Sequence, residues 1–526
     1  MQIFFSKIYF FLLSLFVFLI PLQTVYIFRQ GPIGNEGLAR EGMWQFGTLA
    51  VYATDILFFL IVAIACIYFF LCHSRGSGNL VSQNALIKNS TFLLFILFLI
   101  SFISILWSPD KTLSIQGALR LFEGAIIFFL LSRLNEKQWN VLAWIFIIGA
   151  VLQSILGSIQ FFLQEIPAVS WLGIARHAST QLGDAVVENG EFRWLRAYGS
   201  FPHPNILAAY LVIGYFFCMS IVMKSEKKMY SLLATLAGVS ILFGLVLTFS
   251  REAWLGLAAG IIVTMVIRKI SHFYSVSAGN TLFTPVLHES KLWHFRLTQI
   301  QKLLSAFRRI VKQFVICYKS AHNFYSHFAN RSKSTASRRS RFYSEEHIPT
   351  PDEKRYISPL GFFSLVSIIT LIFFGILFSE PLSVRLGIGG WNRLEKKSVQ
   401  ERVGTIKEFL SFGPALIRGV GIGQYTHALY QKDVQHSTIR ASYAYQPVHN
   451  AFLMVMAELG VVGLITFMGF LLFLVMRIWK KNPMSIGILI SFIIIGFFDH
   501  FFWTLHSGIL IWWTAIAWLD KNHEIV

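Results

Sequence analysis

HPNILAAYLVIGYFFCMSIVMKSEKKMYSLLATLAGVSILFGLVLTFSREAWLGLAAGIIVTMVIRK (203–269) is the stretch whose reading decides the fold. It holds three apolar runs, 203–223, 229–249 and 251–268, the first two separated by a lysine-rich connection and the last two by a polar hairpin. Each run is long enough to cross about 30 Å of hydrocarbon, which takes about 20 helical residues. Inside a bilayer a helix satisfies its own backbone hydrogen bonds, so a helix is the structure such a run adopts.

Working outward, similar runs lie at 5–28, 48–72, 88–107, 115–133, 139–163, 359–378, 449–477, 484–503 and 507–519. The sequence therefore predicts an all-α, polytopic integral membrane protein of about twelve spans. Composition agrees: of 526 residues, 55% are hydrophobic and 13% charged, and the mean hydropathy is +0.60. No soluble core hides so much apolar surface. Lys7 before an apolar stretch imitates a signal peptide, but no small-residue cleavage site follows, which predicts an uncleaved first helix. Spans one to eight fall in 1–268 and spans nine to twelve in 358–526, with a basic insert at 269–357 between them.

Charge sets the orientation. The insert carries fifteen Lys and Arg against five Asp and Glu, a large part of the formal +19. Flanked by spans, such a segment reads as a topology signal and a contact for anionic lipid, with nucleic acid not expected as a partner. With the N-terminus in the cytoplasm, the inside connections collect Arg75 and Lys88, Arg133 and Lys137, Lys224, Lys227 and Lys228, the insert, then Arg477, Lys480 and Lys481. Both termini are thus expected inside, and the long loops 164–202 and 379–448 outside. In the insert, 291–319 has the pattern of an amphipathic surface helix and RSKSTASRRSR (331–341) that of a flexible tract. The cysteines (Cys66, Cys72, Cys218, Cys317) have no metal-like spacing and read as structural thiols.

Three motifs place polar residues at the outer starts of spans. In RAYGSFPHPN (196–205), Pro204 suits a first helical turn, which puts His203 near the cap and Asn205 just inside. In TFSREAWLG (248–256), Ser250 is a candidate cap, with Arg251 and Glu252 in the first turn. In PVHNAFLMVMAELGVVG (447–463), His449 and Asn450 open a span that carries Glu458 inside it. All three spans run inward, so their positive dipole ends face one compartment, and with Arg196 and Arg251 they suit a phosphate or diphosphate. The bland readings are an interfacial anchor for each Arg, a satisfied polar residue for His449 and a simple cap for Asn450. Glu458, nine residues after His449, lies about half a turn out of phase, so a His–Glu dyad requires a break near Gly460 or Gly463. In the loop 379–448, 395–412 has a helical stripe of Val399, Val403, Ile406 and Leu410, followed by the glycine-rich GPALIRGVGIGQY (413–425). Arg402 and Arg418 either join the anion site or keep this loop soluble. The loop's carboxylates are scattered, so no metal or other cofactor is expected.

Taken in order, the segment before the HPN, the SREAWLG hairpin, the ER…GVGIGQY loop and HNAFLMVMAELGVVG resemble the O-antigen ligase and polymerase superfamily of bacterial inner membranes. The resemblance covers roughly 190–268 and 395–475; the first five spans agree in number and hydropathy, and the insert departs from the family pattern. It implies a membrane-embedded, class C type, metal-independent glycosyltransferase with a polyprenyl-diphosphate-linked glycan as donor and a lipid or glycan as acceptor. It further implies that Arg196 and Arg251 hold the donor diphosphate and that His449 acts on the acceptor hydroxyl. A polymerase, a protein O-oligosaccharyltransferase and, from another class, a transporter of an anionic lipid or solute are the alternatives. A transporter carries its charges near mid-membrane at broken helices, whereas these lie at span ends.

Overall fold

The computed structural model describes residues 2–31, 44–73, 85–278, 358–388, 393–479 and 483–519. The chain divides into two units, Met1–Lys269 with Ile357–Val526, and Ile270–Tyr356. The second lies almost wholly outside the described residues, and with it the readings made for 291–319 and 331–341.

Helices dominate the first unit. In chain order they begin α1 (Gln2–Leu19), α2 (Ala53–His73), α3 (Ala85–Ser104), α4 (Lys111–Ser132) and α5 (Glu136–Leu163). Then come α6 (Pro204–Lys224), α7 (Lys228–Leu247), α8 (Arg251–Ala278) and α9 (Pro359–Leu377). Four shorter helices follow outside the long apolar runs: α10 (Ser379–Leu386), α11 (Arg393–Leu410), α12 (Ala415–Arg418) and α13 (Tyr425–Gln435). The chain closes with α14 (Ala451–Ile478), α15 (Pro483–Phe498), α16 (Phe501–Thr504) and α17 (His506–Leu519). Eight of them, α2, α4 to α9 and α14, are long and apolar enough to cross a membrane. Shorter apolar helices, Phe4–Leu19, Phe92–Trp107, Pro483–Phe498 and His506–Leu519, occupy the other four positions read from the sequence. The protein is thus a mostly helical, multi-pass membrane protein by the length and composition of its helices.

Three of the runs read as spans need correction. The run 5–28 is not one helix: α1 stops at Leu19, Pro21 follows, and Val25–Arg29 forms strand β1. β1 pairs antiparallel with β2 (Leu49–Tyr52), Val25 opposite Tyr52, so the run 48–72 also starts as a strand. Pro21 cannot continue the helix, and the β-branched and aromatic residues after it suit a strand, a distinction that apolarity alone does not make. The run 484–503 is likewise interrupted, at Asp499 and His500, between α15 and α16. Further β structure among the described residues lies in the loop before α6: two short hairpins, Glu165–Ile166 with His177–Ala178 and Val186–Glu188 with Arg193–Leu195, and an isolated bridge between Val169 and Ile174.

Burial ranks the helices. α6 is buried along almost its whole length and forms the centre of the bundle, whereas α9 leaves Ile368, Ile369, Phe373 and Ile376 exposed. An apolar helix exposed in this way is compatible with a lipid environment, where lipid tails cover what water would not. α14 is broken inside the bundle at Gly460, whose φ of 75° is open to glycine and strained for other residues. The break leaves carbonyls without helical donors, and the glycine-rich loop supplies them: Val420 N–H donates to Ala457 O and Gly421 N–H to Glu458 O, both at 2.9 Å. A Cβ on Gly460 would stand 2.3 Å from Ile417 O, and one on Gly419 2.4 Å from Glu458 O. The segment 413–425 is therefore no simple surface turn. Trp107 Nε1 donates to Gly419 O, Ser114 Oγ to Ile422 O, and Ile422 N–H to Ser104 Oγ, which wedge the segment between α3, α4 and α14.

Candidate functional site

The starts of α6, α8 and α14 meet at one end of the bundle. His203 caps α6, its Nδ1 accepting from Asn205 N–H at 3.2 Å, with Pro204 in the first turn as its fixed φ favours. Asn450 caps α14 by accepting from Leu453 N–H at 2.9 Å, and its Nδ2 donates to Phe497 O. At α8, Ser250 Oγ donates to Glu252 Oε1 at 2.8 Å. The turn before it holds Phe249 at φ 48°, a strained conformation for a bulky residue.

The polar side chains are linked across these starts. Arg196, buried, donates from Nε to Thr248 O and from Nη2 to Asn205 Oδ1, both at 2.6 Å. Asn205 Nδ2 passes the chain on to Asp499 Oδ2 at 2.8 Å. Asp499 accepts His500 N–H through its other oxygen, and the His500 ring meets His449 edge-on with centroids 5.4 Å apart. On the α8 side, Glu395 of α11 bridges two guanidiniums: Arg251 Nη1 at 2.9 Å and Arg385 Nη1 at 2.6 Å. Arg385 Nε donates to Phe249 O, which fixes the strained turn. Arg402 lies close enough to influence both His449 and Arg251, and its Nε is buried without a hydrogen-bond partner, as is His449 Nδ1.

Four guanidiniums (Arg196, Arg251, Arg385, Arg402) thus face three buried carboxylates (Glu252, Glu395, Asp499). The excess is positive, at a point where three helix N-termini add their partial charge, and such a place is ready for an anion. Burial, with the Arg385 charge nearby, lowers Arg196 to about 9, so it stays charged at neutral pH. Burial also lowers the imidazoles: His500 to about 4, while Arg196 presses His203 down further and Arg402 works in the same direction on His449. Burial alone would raise Asp499, but the nearby His500, His449 and His203, in so far as they carry charge, and the Asn205 amide hold its carboxyl below the usual range. Burial therefore biases His449 to the neutral form, in which an imidazole accepts a proton, beside the Asp499 carboxyl.

The structure brings together Arg196, Arg251, His203, Asn205, Glu252, Arg402, His449 and Asn450, but not Glu458. The helix does break at Gly460, yet Glu458 turns to Trp503, whose Nε1 donates to its Oε2 at 2.7 Å. Arg418 stands over the Trp107 ring, 5.3 Å from its centroid. Along α11 the opposite face is buried, at Glu395, Thr405 and Phe409, while Val403, Ile406 and Leu410 of the apolar stripe are exposed. The sequence reading missed Arg385, Glu395 as a site member, Asp499 and His500. An Asp–His pair inside an apolar run is a usable signal, because ionisable groups at membrane depth default to function.

A cavity of about 470 Å³ adjoins this end. Pro202, Pro447, Ala451 and Thr504 line it, chain neighbours of His203 and His449 and the hydrogen-bond partner of His500; Phe452, Trp503, Trp512 and Trp513 make much of the remainder apolar. Comparison with models of known protein families found no match, and comparison with curated proteins found none either.

Proposed function

We propose that the protein is a membrane-embedded glycosyltransferase that moves a polyprenyl-diphosphate-linked glycan onto a lipid or glycan acceptor at the outer face of the cytoplasmic membrane, as a ligase. The observation that carries this reading is the excess of guanidinium charge at three converging helix starts, with His449 beside it and a mostly apolar cavity opening next to it. The same motifs support it through their resemblance to the O-antigen ligase superfamily.

The donor diphosphate takes the place of the Glu395 carboxylate between Arg251 and Arg385. Arg196, whose Nε and Nη2 are committed to Thr248 O and Asn205, positions that pair and adds charge. His449 accepts the proton of the acceptor hydroxyl as its oxygen attacks the anomeric carbon. The glycosyl C–O bond breaks and its electron pair leaves on the diphosphate, where fixed guanidiniums and helix N-termini stabilise the growing charge. His449 then returns its proton to water. Asp499, through its charge, and His500, through ring contact, orient and tune His449.

The test is reconstitution of the purified protein with a synthetic polyprenyl-diphosphate glycan and an acceptor lipid, with and without chelator. Acceptor-dependent release of polyprenyl diphosphate supports transfer, and its absence in every acceptor tried overturns it. In cells lacking the gene, unattached long glycans indicate a ligase and single repeat units a polymerase. One observation favours a transporter as second reading: Asp55, Arg120, Glu123 and His506 form a buried ionisable cluster within apolar helices. Unchanged glycans with lost solute flux would decide for it.

A further inference from the structure

That cluster lies in a wall of the same cavity and has no part in the transfer chemistry above. α2 brings Asp55, α4 brings Arg120 and Glu123, and α17 brings His506; all four are buried or nearly so. The Arg120 guanidinium pairs with Asp55 and, at 3.2 Å, with Glu123 Oε2, while its Nη2 donates to Ala50 O. Tyr52 N–H donates to Asp55 Oδ2 at 2.7 Å. Thr54 Oγ1 holds His506 Nε2 at 2.8 Å, and the Tyr52 ring stacks on His506 with centroids 4.2 Å apart.

Two atoms are left over. Glu123 Oε1 and His506 Nδ1 have no hydrogen-bond partner, and both are closed off from solvent. Nδ1 stands 3.7 Å from Glu123 Oε2, just beyond hydrogen-bond reach, and Nε2 stands 3.5 Å from Asp55 Oδ1. Two carboxylates face one guanidinium, so with a neutral imidazole the cluster carries one uncompensated negative charge. A buried charge without a partner is strongly disfavoured. The missing counter-charge has to reach atoms that are closed off from solvent. Arg120 already occupies the place between the carboxylates that a larger cation would take. A proton fits.

We propose that Glu123 and His506 form a proton-binding site in the cavity wall, and that its occupancy sets the charge which that wall presents to a ligand. His506 lines the cavity together with Arg120 and Tyr52, so it is the group through which the proton exchanges with cavity water. Across the cavity the remaining ionisable side chains among the described residues are Glu458, held by Trp503, and Tyr425. With the proton in place the cluster is neutral; without it, the wall carries one negative charge beside a mostly apolar space. An amphiphile with a fixed negative charge is therefore admitted by the protonated form and repelled by the other. This inference rests on the cluster and the cavity, and its tests read protonation and binding without any transfer step.

The proton is observed directly by infrared spectroscopy of the full-length protein. A carboxylic acid C=O band is expected that Glu123→Gln removes and that Glu458→Gln and Asp499→Asn leave in place. Its persistence in Glu123→Gln, or its absence from the wild type, overturns the proposal; absence together with a stoichiometric metal retained through purification assigns the site to a metal instead. Should Glu123→Gln fail to fold, His506→Gln must shift the band, because the imidazole is its neighbour, and an unmoved band overturns the proposal equally. The consequence is read with dihexyl phosphate, a diester whose single charge is constant around neutral pH, by quenching of the cavity tryptophans. Its affinity is expected to fall about tenfold per pH unit once the proton is lost, whereas that of uncharged dihexyl ether stays level. In a Glu458→Gln background, which removes the other carboxyl facing the cavity, Glu123→Gln, a permanent mimic of the protonated carboxyl, is expected to bind the diester independently of pH. The same pH slope in that variant, or for the ether, overturns the link between proton and ligand.

Discussion

His449 and Arg251 stand at neighbouring helix starts and yet differ in what surrounds them, which makes their loss distinguishable. His449 has a buried, unpartnered Nδ1 and touches the ring of His500. Its replacement by Ala is expected to leave donor binding intact and to lower transfer by a factor on the order of 10²–10⁴; near-normal turnover would remove it from the mechanism. Arg251 shares Glu395 with Arg385. Arg251→Ala is expected to weaken donor binding by about 1–3 kcal/mol, and Arg251→Lys to restore only part, because the ammonium lacks the planar fork. Isothermal titration with the donor measures both. The pH profile follows from the environment of His449. Burial lowers its pKa and Asp499 raises it, so a base at this position is deprotonated and active at neutral pH, and activity falls only in acid. Asp499→Asn removes the raising charge, and the acid limb of the transfer rate is expected to move to lower pH. A limb that stays in place or moves upward would dissociate Asp499 from His449.

At the scale of elements, the break in α14 and the glycine-rich segment are one device. The carbonyls freed at Gly460 are met by Val420 and Gly421 N–H, so the segment cannot leave without exposing unsatisfied backbone within an apolar bundle. Gly460→Ala combines a φ of 75° with a Cβ 2.3 Å from Ile417 O. A loss of at least about 1–3 kcal/mol is expected from the backbone strain alone. A lower midpoint of thermal unfolding in detergent checks it, and an unchanged midpoint would show that the segment is not held by this break. The device also matters to the site: Glu458, at the end of the first half of α14, reaches the Trp503 indole just past α15, close to Asp499 and His500.

For the whole molecule, the orientation argued from basic residues remains the premise on which an outward-facing transfer site depends. In a background without Cys66, Cys72, Cys218 and Cys317, Ser437→Cys is expected to react with an impermeant thiol reagent in intact cells. Ser334→Cys, in the stretch outside the described residues, is expected to be shielded. Reversed labelling would place the Arg251 and His449 end in the cytoplasm and end the extracytoplasmic reading.

Hydrophobic periodicity and length were enough to locate the long apolar helices, because a run of about 20 apolar residues has few other stable outcomes. Cap chemistry was equally local: Pro204 after His203 and Asn450 before an apolar run determined where α6 and α14 begin, and the structure starts them there. Apolarity by itself did not separate strand from helix at Val25–Arg29, nor reveal that Asp499 and His500 interrupt a run. Those outcomes depend on partners distant in the chain, β2 for the first and Asn205 for the second. The assembly of the site was likewise a tertiary decision. Arg385 and Glu395 lie more than a hundred residues after Arg251, and Glu123 and His506 are further apart still, so no spacing encodes their contacts. Local sequence sets what a segment can do alone; where buried charges find their counter-charges is settled only when the helices pack, since inside an apolar bundle an unpaired charge is too costly to keep.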